Sequence, residues 1–224
     1  MINQEESNLL RSSLPFWENL SQSQKDLLIS SAKSIHYSKG QGIYYGENEC
    51  IGLIIVKKGM LRTYITSDEG REVTLYRLED HDLCVLSASC VLQTIDFDVF
   101  IDAETECDIL QISPLVFSRL SSENVYVELF SYKLATERFS DVMWAMQQIL
   151  FISFDKRLAA FLLEESEKNK SNRINMTHEQ IAKYLGSARE VVSRMLKYFK
   201  KEGYVALSRG DITIIDKKKL HSIS

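Results

Sequence analysis

The sequence predicts an α+β protein: an N-terminal double-stranded β-helix (jelly-roll) domain, a long helix, and a small C-terminal helix–turn–helix domain that ends in a β-hairpin. Three observations predict it. Between residues 36 and 112, short β-branched and aromatic runs recur about every ten residues, with glycine turns between them. From Glu123 to Leu150 the apolar period changes to seven. From Arg173 onward the charge turns basic, in a chain whose total is −4. Eleven Lys and Arg there face five Asp and Glu, a net of +6, which leaves −10 on the first 172 residues. An acidic large part joined to a small basic part implies that only the small part meets a polyanion.

Composition sets the outer limits. A chain of 224 residues suits two domains, and 45% hydrophobic with 26% charged residues is the balance of a protein with real cores. No apolar run approaches the ~18 residues that a membrane helix needs. The segment Met1 to Arg11 is polar and acidic, unlike a secretory signal or a transit peptide, so the expected location is the cytoplasm. Four cysteines (Cys50, Cys84, Cys90, Cys107) lack metal-type spacing and read as reduced thiols acting as small hydrophobes. A thiol switch at Cys84 and Cys90 is the alternative.

Each element has its own signal. The β part is punctuated at Lys39-Gly40, Gly46-Glu47-Asn48, Lys58-Gly59 and Asp68-Glu69-Gly70, and "DFDVFIDAETECDILQIS" continues its alternation. Many short strands of this kind indicate a jelly roll, sandwich or barrel. Before it, "SQSQKDLLISSA" opens with a capping serine and predicts a short helix. Within 123–150, Val125, Tyr132, Phe139 and Met146 recur every seven residues, and Ala135, Val142 and Ile149 follow three after the last three. Such an a/d seam over more than three heptads predicts a helix that pairs with a copy of itself. Leu129, Phe130, Leu134, Met143 and Trp144 add apolar surface for packing on the β part. The domain boundaries follow: 1–122 for a sensing roll, 123–150 for the dimerisation helix, 151–224 for the last domain.

That last domain carries the chemistry. "MTHEQIAKYLG" has Thr177 and Gln180 at capping-box spacing, and Gly186 suits the left-handed residue that ends a helix. In "SAREVVSRMLKYFKK", Val192, Met195, Leu196 and Phe199 share one face, while Glu190, Ser193, Arg194, Lys197 and Lys201 share the other, with Arg189 at the leading edge. Two short helices joined by a glycine turn, the second basic outside, form a helix–turn–helix. Arg189, Glu190, Ser193 and Arg194 are the candidate base readers, since arginine forks onto guanine and glutamate accepts from cytosine. A second role for Glu190, capping its own helix from Ser187, stays open. Thr177, Lys197, Lys200, Lys201 and Arg209 are candidates for phosphates, Arg209 from the tip of the hairpin in "YVALSRGDITIID". The expected partner is double-stranded DNA.

Another class, a cupin-like metal enzyme built on the roll, would need about three convergent ligands. Only His36 and His81 precede residue 178, without ligand spacing, and no P-loop or nucleophile elbow occurs. The sequence therefore does not read as an enzyme, and no metal site is expected.

The order of roll, heptad helix, short helix and winged helix–turn–helix, with Arg189-Glu190-x-x-Ser193-Arg194, resembles the Crp/Fnr family of bacterial transcription regulators. The likeness runs from Leu14 to about Asp216, supported by "FDKRLAAFLL" and by Gly40, Gly46, Gly59 and Gly70. It implies a cyclic-nucleotide-binding-like roll, a homodimer on a palindromic operator, and RNA polymerase as a further partner. It also implies an effector pocket at Cys84, Leu86, Cys90, Phe97, Arg138 and Met143. Departures from the family pattern fall in that pocket. Leu86 stands where cyclic-AMP-binding members have a ribose-binding acid, and Phe97 where they have the phosphate-binding arginine. Arg138 matches one nucleotide-contacting position, but Val142 and Met143 replace hydroxyls. A buried cyclic phosphate without a cation would be costly, which argues against cyclic AMP. Residues 1–30 lack the cysteine cluster of the iron–sulfur members. Haem-binding relatives exist, with His36, His81 and Cys84 as conceivable ligands here. The expectation is an unidentified, rather apolar small-molecule effector, or a redox signal; a roll that has lost its sensing role is the alternative.

Overall fold

Capping begins the chain's first element. Asn3 Oδ1 accepts from the Glu6 N–H at 2.8 Å, and the Glu6 carboxylate accepts from the Asn3 N–H at 2.9 Å, which starts α1 (Gln4–Ser13). The predicted capping serine, Ser21, does the same with Gln24 at the head of α2 (Gln22–Ser31). The computed structural model describes residues 2–44, 50–84, 99–208 and 210–223. The Gly46-Glu47-Asn48 turn expected from sequence lies outside them, as do Leu86, Cys90, Phe97 and Arg209.

The chain divides into two units, Met1–Ile65 with Leu75–Val142, and Thr66–Thr74 with Met143–Ser224. Two antiparallel four-stranded sheets make up the first, except for two strand ends. One runs β1 (Ala32–Tyr37), β8 (Cys107–Ile112), β3 (Leu53–Lys58), β6 (Leu83–Cys84); the other runs β2 (Gly42–Tyr44), β7 (Phe100–Ala103), β4 (Leu61–Thr66), β5 (Glu72–Leu78), with the end of β4 and the start of β5 in the Thr66–Thr74 segment. This is the predicted jelly roll. Gly59 makes the turn between β3 and β4 at φ 101°, where a Cβ would overlap the Glu106 carbonyl, so only glycine fits. Leu53, Ile54, Ile55 and Val56 are all fully buried, because β3 is covered on both faces. Leu10 and Leu28 of α1 and α2, and Phe117 of α3 (Pro114–Glu123), join the same core. The sequence did not announce α1. Cys84 and Cys107 are free thiols buried in this core, as small hydrophobes are. Cys50, by contrast, is disulfide-bonded, which corrects the reading of all four as reduced thiols.

Helix α4 spans Val125–Phe151, about 40 Å at 1.5 Å per residue. Asn124 Oδ1 accepts from the Tyr126 N–H at its start. Its seam is split. Val125, Tyr132, Phe139, Met146 and Ile149 stay exposed, Phe139 at 64%, whereas Ala135 and Val142 rest half-buried against the roll core. Small and β-branched side chains at those positions suit close packing on the strands. Leu134 and Phe130 pack inward as expected, but Leu129, Met143 and Trp144 are exposed. No helix among the described residues is long and apolar enough to cross a membrane.

The second unit packs α5 (Phe154–Lys168), α6 (His178–Tyr184), α7 (Arg189–Lys201) and α8 (Lys217–Ile223) with a three-stranded sheet. That sheet runs β10 (Val205–Ser208), β11 (Asp211–Ile214), β9 (Arg173–Ile174), so the hairpin gains a third strand. Leu158, Leu162, Ile181, Val192, Leu196, Phe199, Ile212 and Leu220 form its core.

Candidate nucleic-acid interface

Helix α6 begins on the predicted capping box. Thr177 Oγ1 accepts from the Gln180 N–H at 3.1 Å, and Gln180 Oε1 accepts from the Thr177 N–H at 2.8 Å. The helix ends through Gly186, at φ 55°, and Ser187 donates its N–H back to the Ala182 carbonyl at 2.9 Å. Helix α7 follows after Ala188. The turn carbonyls receive cations that sequence reasoning missed. Arg157 Nη1 donates to Leu185 O at 2.5 Å, and the Arg71 guanidinium, from the Thr66–Thr74 segment of the same unit, meets Gly186 O. Lys183 pairs with Glu72 of that segment at 2.7 Å. Nothing in the spacing of Arg71 or Glu72 could have signalled a partner more than a hundred residues away.

Helix α7 separates its two faces cleanly. Val192, Leu196 and Phe199 are fully buried and Met195 is half-buried, while Arg189, Glu190, Arg194, Lys197, Lys200 and Lys201 are exposed and Ser193 is half-buried. Ala188 is the N-cap and offers no side-chain cap, so the alternative in which Ser187 and Glu190 close a capping box is not adopted. Arg189 occupies the first turn, the end of the helix where a cation is disfavoured by the backbone dipole. Arg189, Arg194, Lys197, Lys200 and Lys201 form no ion pair among the described residues. A run of unneutralised cations on a rigid, core-anchored helix has the electrostatics for a polyanion.

Beside the start of α7 lies an open cleft of about 600 Å³, lined by Met176, Thr177, His178, Glu179, Arg189, Ser208, Gly210 and Asp211. The β9–β11 edge closes one wall, where Arg173 Nη2 pairs with Asp211 Oδ2 at 2.5 Å. That pairing holds the Asp211 carboxyl below its ordinary value. His178 sits half-buried on α6; its burial, and then the charges of Arg189 and Lys197, lower its pKa below the ordinary 6.5. Sequence reasoning passed over His178; its place next to the capping Thr177 was the one available signal.

In the first unit, two described members of the expected effector pocket have defined surroundings. Cys84 is fully buried. Arg138 pairs with Asp141 at 2.7 Å and lies 5.1 Å from the ring centroid of Tyr76. Met143 falls in the second unit and is exposed. Of the conceivable haem ligands, His36 has both ring nitrogens against carboxylates, Asp108 at 2.8 Å and Glu106 at 3.2 Å. His81 sits in a left-handed turn at φ 74°. No group of three or more His, Cys, Asp or Glu side chains suited to a metal ion occurs among the described residues.

A two-helix unit with a basic second helix and a flanking hairpin, following a jelly roll and a long helix, defines a winged helix–turn–helix DNA-binding protein. Residues 156–223 match the family model of the Crp-like helix-turn-helix domain. A protein of Eubacterium rectale, whose crystal structure is described as that of a Crp/Fnr-family transcriptional regulator, is 47% identical. That alignment covers 95% of this chain and 98% of the other, at a TM-score of 0.91. The chain belongs to the Crp/Fnr family of transcriptional regulators. More distant relatives are the cAMP-activated global transcriptional regulator Vfr of Pseudomonas aeruginosa, 23% identical over 80% of this chain and 88% of its own, and the fumarate and nitrate reduction regulatory protein of Vibrio cholerae, 26% identical over 94% and 86%.

Proposed function

We propose that this regulator works as a homodimer on a palindromic operator, its DNA affinity set by a small-molecule or redox signal received in the jelly roll. Arg189, Glu190, Ser193 and Arg194 read base edges, and Thr177, Lys197, Lys200, Lys201 and Arg209 hold phosphates. The observation that carries this reading is the cationic face of α7, unpaired among the described residues and backed by the fully buried Val192, Leu196 and Phe199, which fix its aim. Pairing through Val125, Tyr132, Phe139 and Met146 covers apolar side chains that stand in solvent on one chain. It also places two recognition helices about one DNA turn (~34 Å) apart, as a palindrome requires. Such a dimer acts in the cytoplasm and works through RNA polymerase; no step of it is enzymatic.

The signal reading rests on the first unit. Among the described residues, Thr63 Oγ1, Tyr76 Oη and Arg138 Nε are buried without a well-formed hydrogen bond, on β4, β5 and α4. Buried polar atoms of this kind suit a ligand that supplies the missing partners. The residue types at Leu86 and Phe97 argue against cyclic AMP. A signal acts only if it binds two dimer states unequally.

Selection of binding sites from random duplex DNA, with the purified protein and no effector, tests the reading. An enriched palindrome supports the dimeric reader. Enrichment that no metabolite or oxidant alters would favour a roll without a sensing role. Single half-sites with no symmetry would overturn the dimer.

A further inference from the structure

The cleft beside α7 holds a titratable group that the DNA-reading residues do not use. His178 of α6 and Arg189 of α7 both line it, and Lys197, about two turns further along α7 and outside that lining, acts on His178 electrostatically. The carboxylates near it are Glu179 of α6, exposed to solvent, and Asp211 of β11, already neutralised by Arg173 at 2.5 Å. Among the described residues, an imidazole and a guanidinium therefore share an open, concave surface whose two carboxylates are the solvent-exposed Glu179 and the Arg173-paired Asp211.

We propose that His178 is a proton-linked contact for the DNA backbone: a phosphodiester seated in this cleft is met by the protonated imidazole of His178, in the field of the base-reading Arg189 and of Lys197. The inference rests on the DNA-binding reading of this interface and adds a solvent proton to each half-site. In the free protein, partial burial, and then the two cations, lower the imidazole pKa and so favour its neutral form. An arriving phosphate reverses the local sign, so the imidazole pKa rises and a proton is taken up on binding. Affinity then strengthens as pH falls from the complex's pKa to the lower pKa of the free protein. Above that window the imidazole is neutral in both states and the linkage disappears.

The test is fluorescence anisotropy with a selected duplex, from pH 5.5 to 8.0 at constant ionic strength, on wild type, His178→Gln and His178→Arg. Wild-type affinity should weaken as pH rises, by up to ~10-fold per unit per protomer at the steepest point. His178→Gln should lose that dependence. His178→Arg should bind with a pH-independent affinity and, at pH 8, a salt slope steeper than wild type by about one unit. Proton NMR of the His178 Cε1–H should give a higher pKa in the complex than in the free protein. The other histidines, His36, His81 and His221, are present in all three proteins and cancel in the comparison. An unchanged pH slope in His178→Gln, or equal His178 pKa values free and bound, would overturn the proposal while leaving DNA binding intact. A wild type that binds no duplex at any pH would instead overturn the DNA reading itself, and this inference with it.

Discussion

At the scale of single residues, the proposed interface gives different work to neighbouring cations. Arg194 is exposed on the outer face of α7, one residue before the half-buried Met195 and two before the fully buried Leu196. Replacing it by Ala should cost ~1–3 kcal/mol of operator affinity and relax base preference at one position, read by repeating the site selection. Lys197→Ala should weaken all sequences alike and flatten the plot of log affinity against log salt by about one unit. Loss of salt-dependent affinity alone in the Arg194 variant would remove its base-reading role. A second residue-scale device lies far from DNA. Lys57 Nζ donates to Glu6 Oε1 at 2.5 Å and to Ser34 Oγ at 2.9 Å, while Glu6 also caps α1. Lys57 first, and then the Asn3 N–H, hold the Glu6 carboxyl down at about 2, against an ordinary 4.5. A depressed carboxyl stabilises the fold fully above its unfolded pKa and loses that contribution as pH falls from about 4.5 towards 2. Glu6→Gln should therefore cost ~1–2 kcal/mol at pH 7 in denaturant melts and much less at pH 2.5. An equal cost at both values would mean that the charge is irrelevant.

At the scale of elements, α7 depends on its buried side as much as on its basic one. Leu196 is fully buried among Val192, Phe199 and Ile212 in the core of the second unit. Leu196→Ala should destabilise that unit by ~2–5 kcal/mol, abolishing operator binding on warming before the strand signal of the roll is lost in circular dichroism. The turn into α7 has a smaller tolerance. Gly186 holds φ 55°, and a Cβ there would press on Ile149 and Val73 at 3.2 and 3.3 Å. Gly186→Ala should cost ~1–2 kcal/mol in the same melts, from the left-handed backbone alone. These elements were legible in advance because their signals are local: the Thr177–Gln180 capping box, the glycine, and the 100° periodicity of Val192, Leu196 and Phe199. Helix α1 was not, since its apolar face is carried by few residues and its cap is an asparagine paired with Glu6. Strand β9 was hidden for another reason. Arg173–Ile174 is two residues long and becomes a strand only by pairing with Ile212 and Thr213 of β11.

At the scale of the whole molecule, the proposed dimer rests on one exposed face. Helix α4 leaves Val125, Tyr132, Phe139, Met146, Leu150 and Phe151 in solvent, an apolar exposure that a lone chain does not ordinarily keep. Phe139→Glu should shift the protein to monomer in sedimentation velocity at micromolar concentration. It should weaken binding to a palindrome while leaving half-site binding in place. A variant that remains dimeric would locate the interface elsewhere. The heptad register could be read from sequence, but not which members face out. Ala135 and Val142 carry the same seam signal as Tyr132 and Phe139, and only the packing of α4 on the roll decides that they turn inward.

The sequence by itself determined the class of each part: a roll from its spaced glycine turns, a long helix from its sevenfold period, and a DNA reader from the charge split and the two-faced pattern of α7. Those features follow from nearest neighbours and helix geometry, which the linear order contains. The tertiary structure decided what depends on distant residues meeting. It placed Arg157 and Arg71 on the carbonyls of the helix–turn–helix turn, occupied His36 with Asp108 and Glu106, and set His178 into a cleft with Arg189. Hydrogen bonds and charge pairs act over a few ångströms, and only the folded chain brings residues so far apart in sequence within that range.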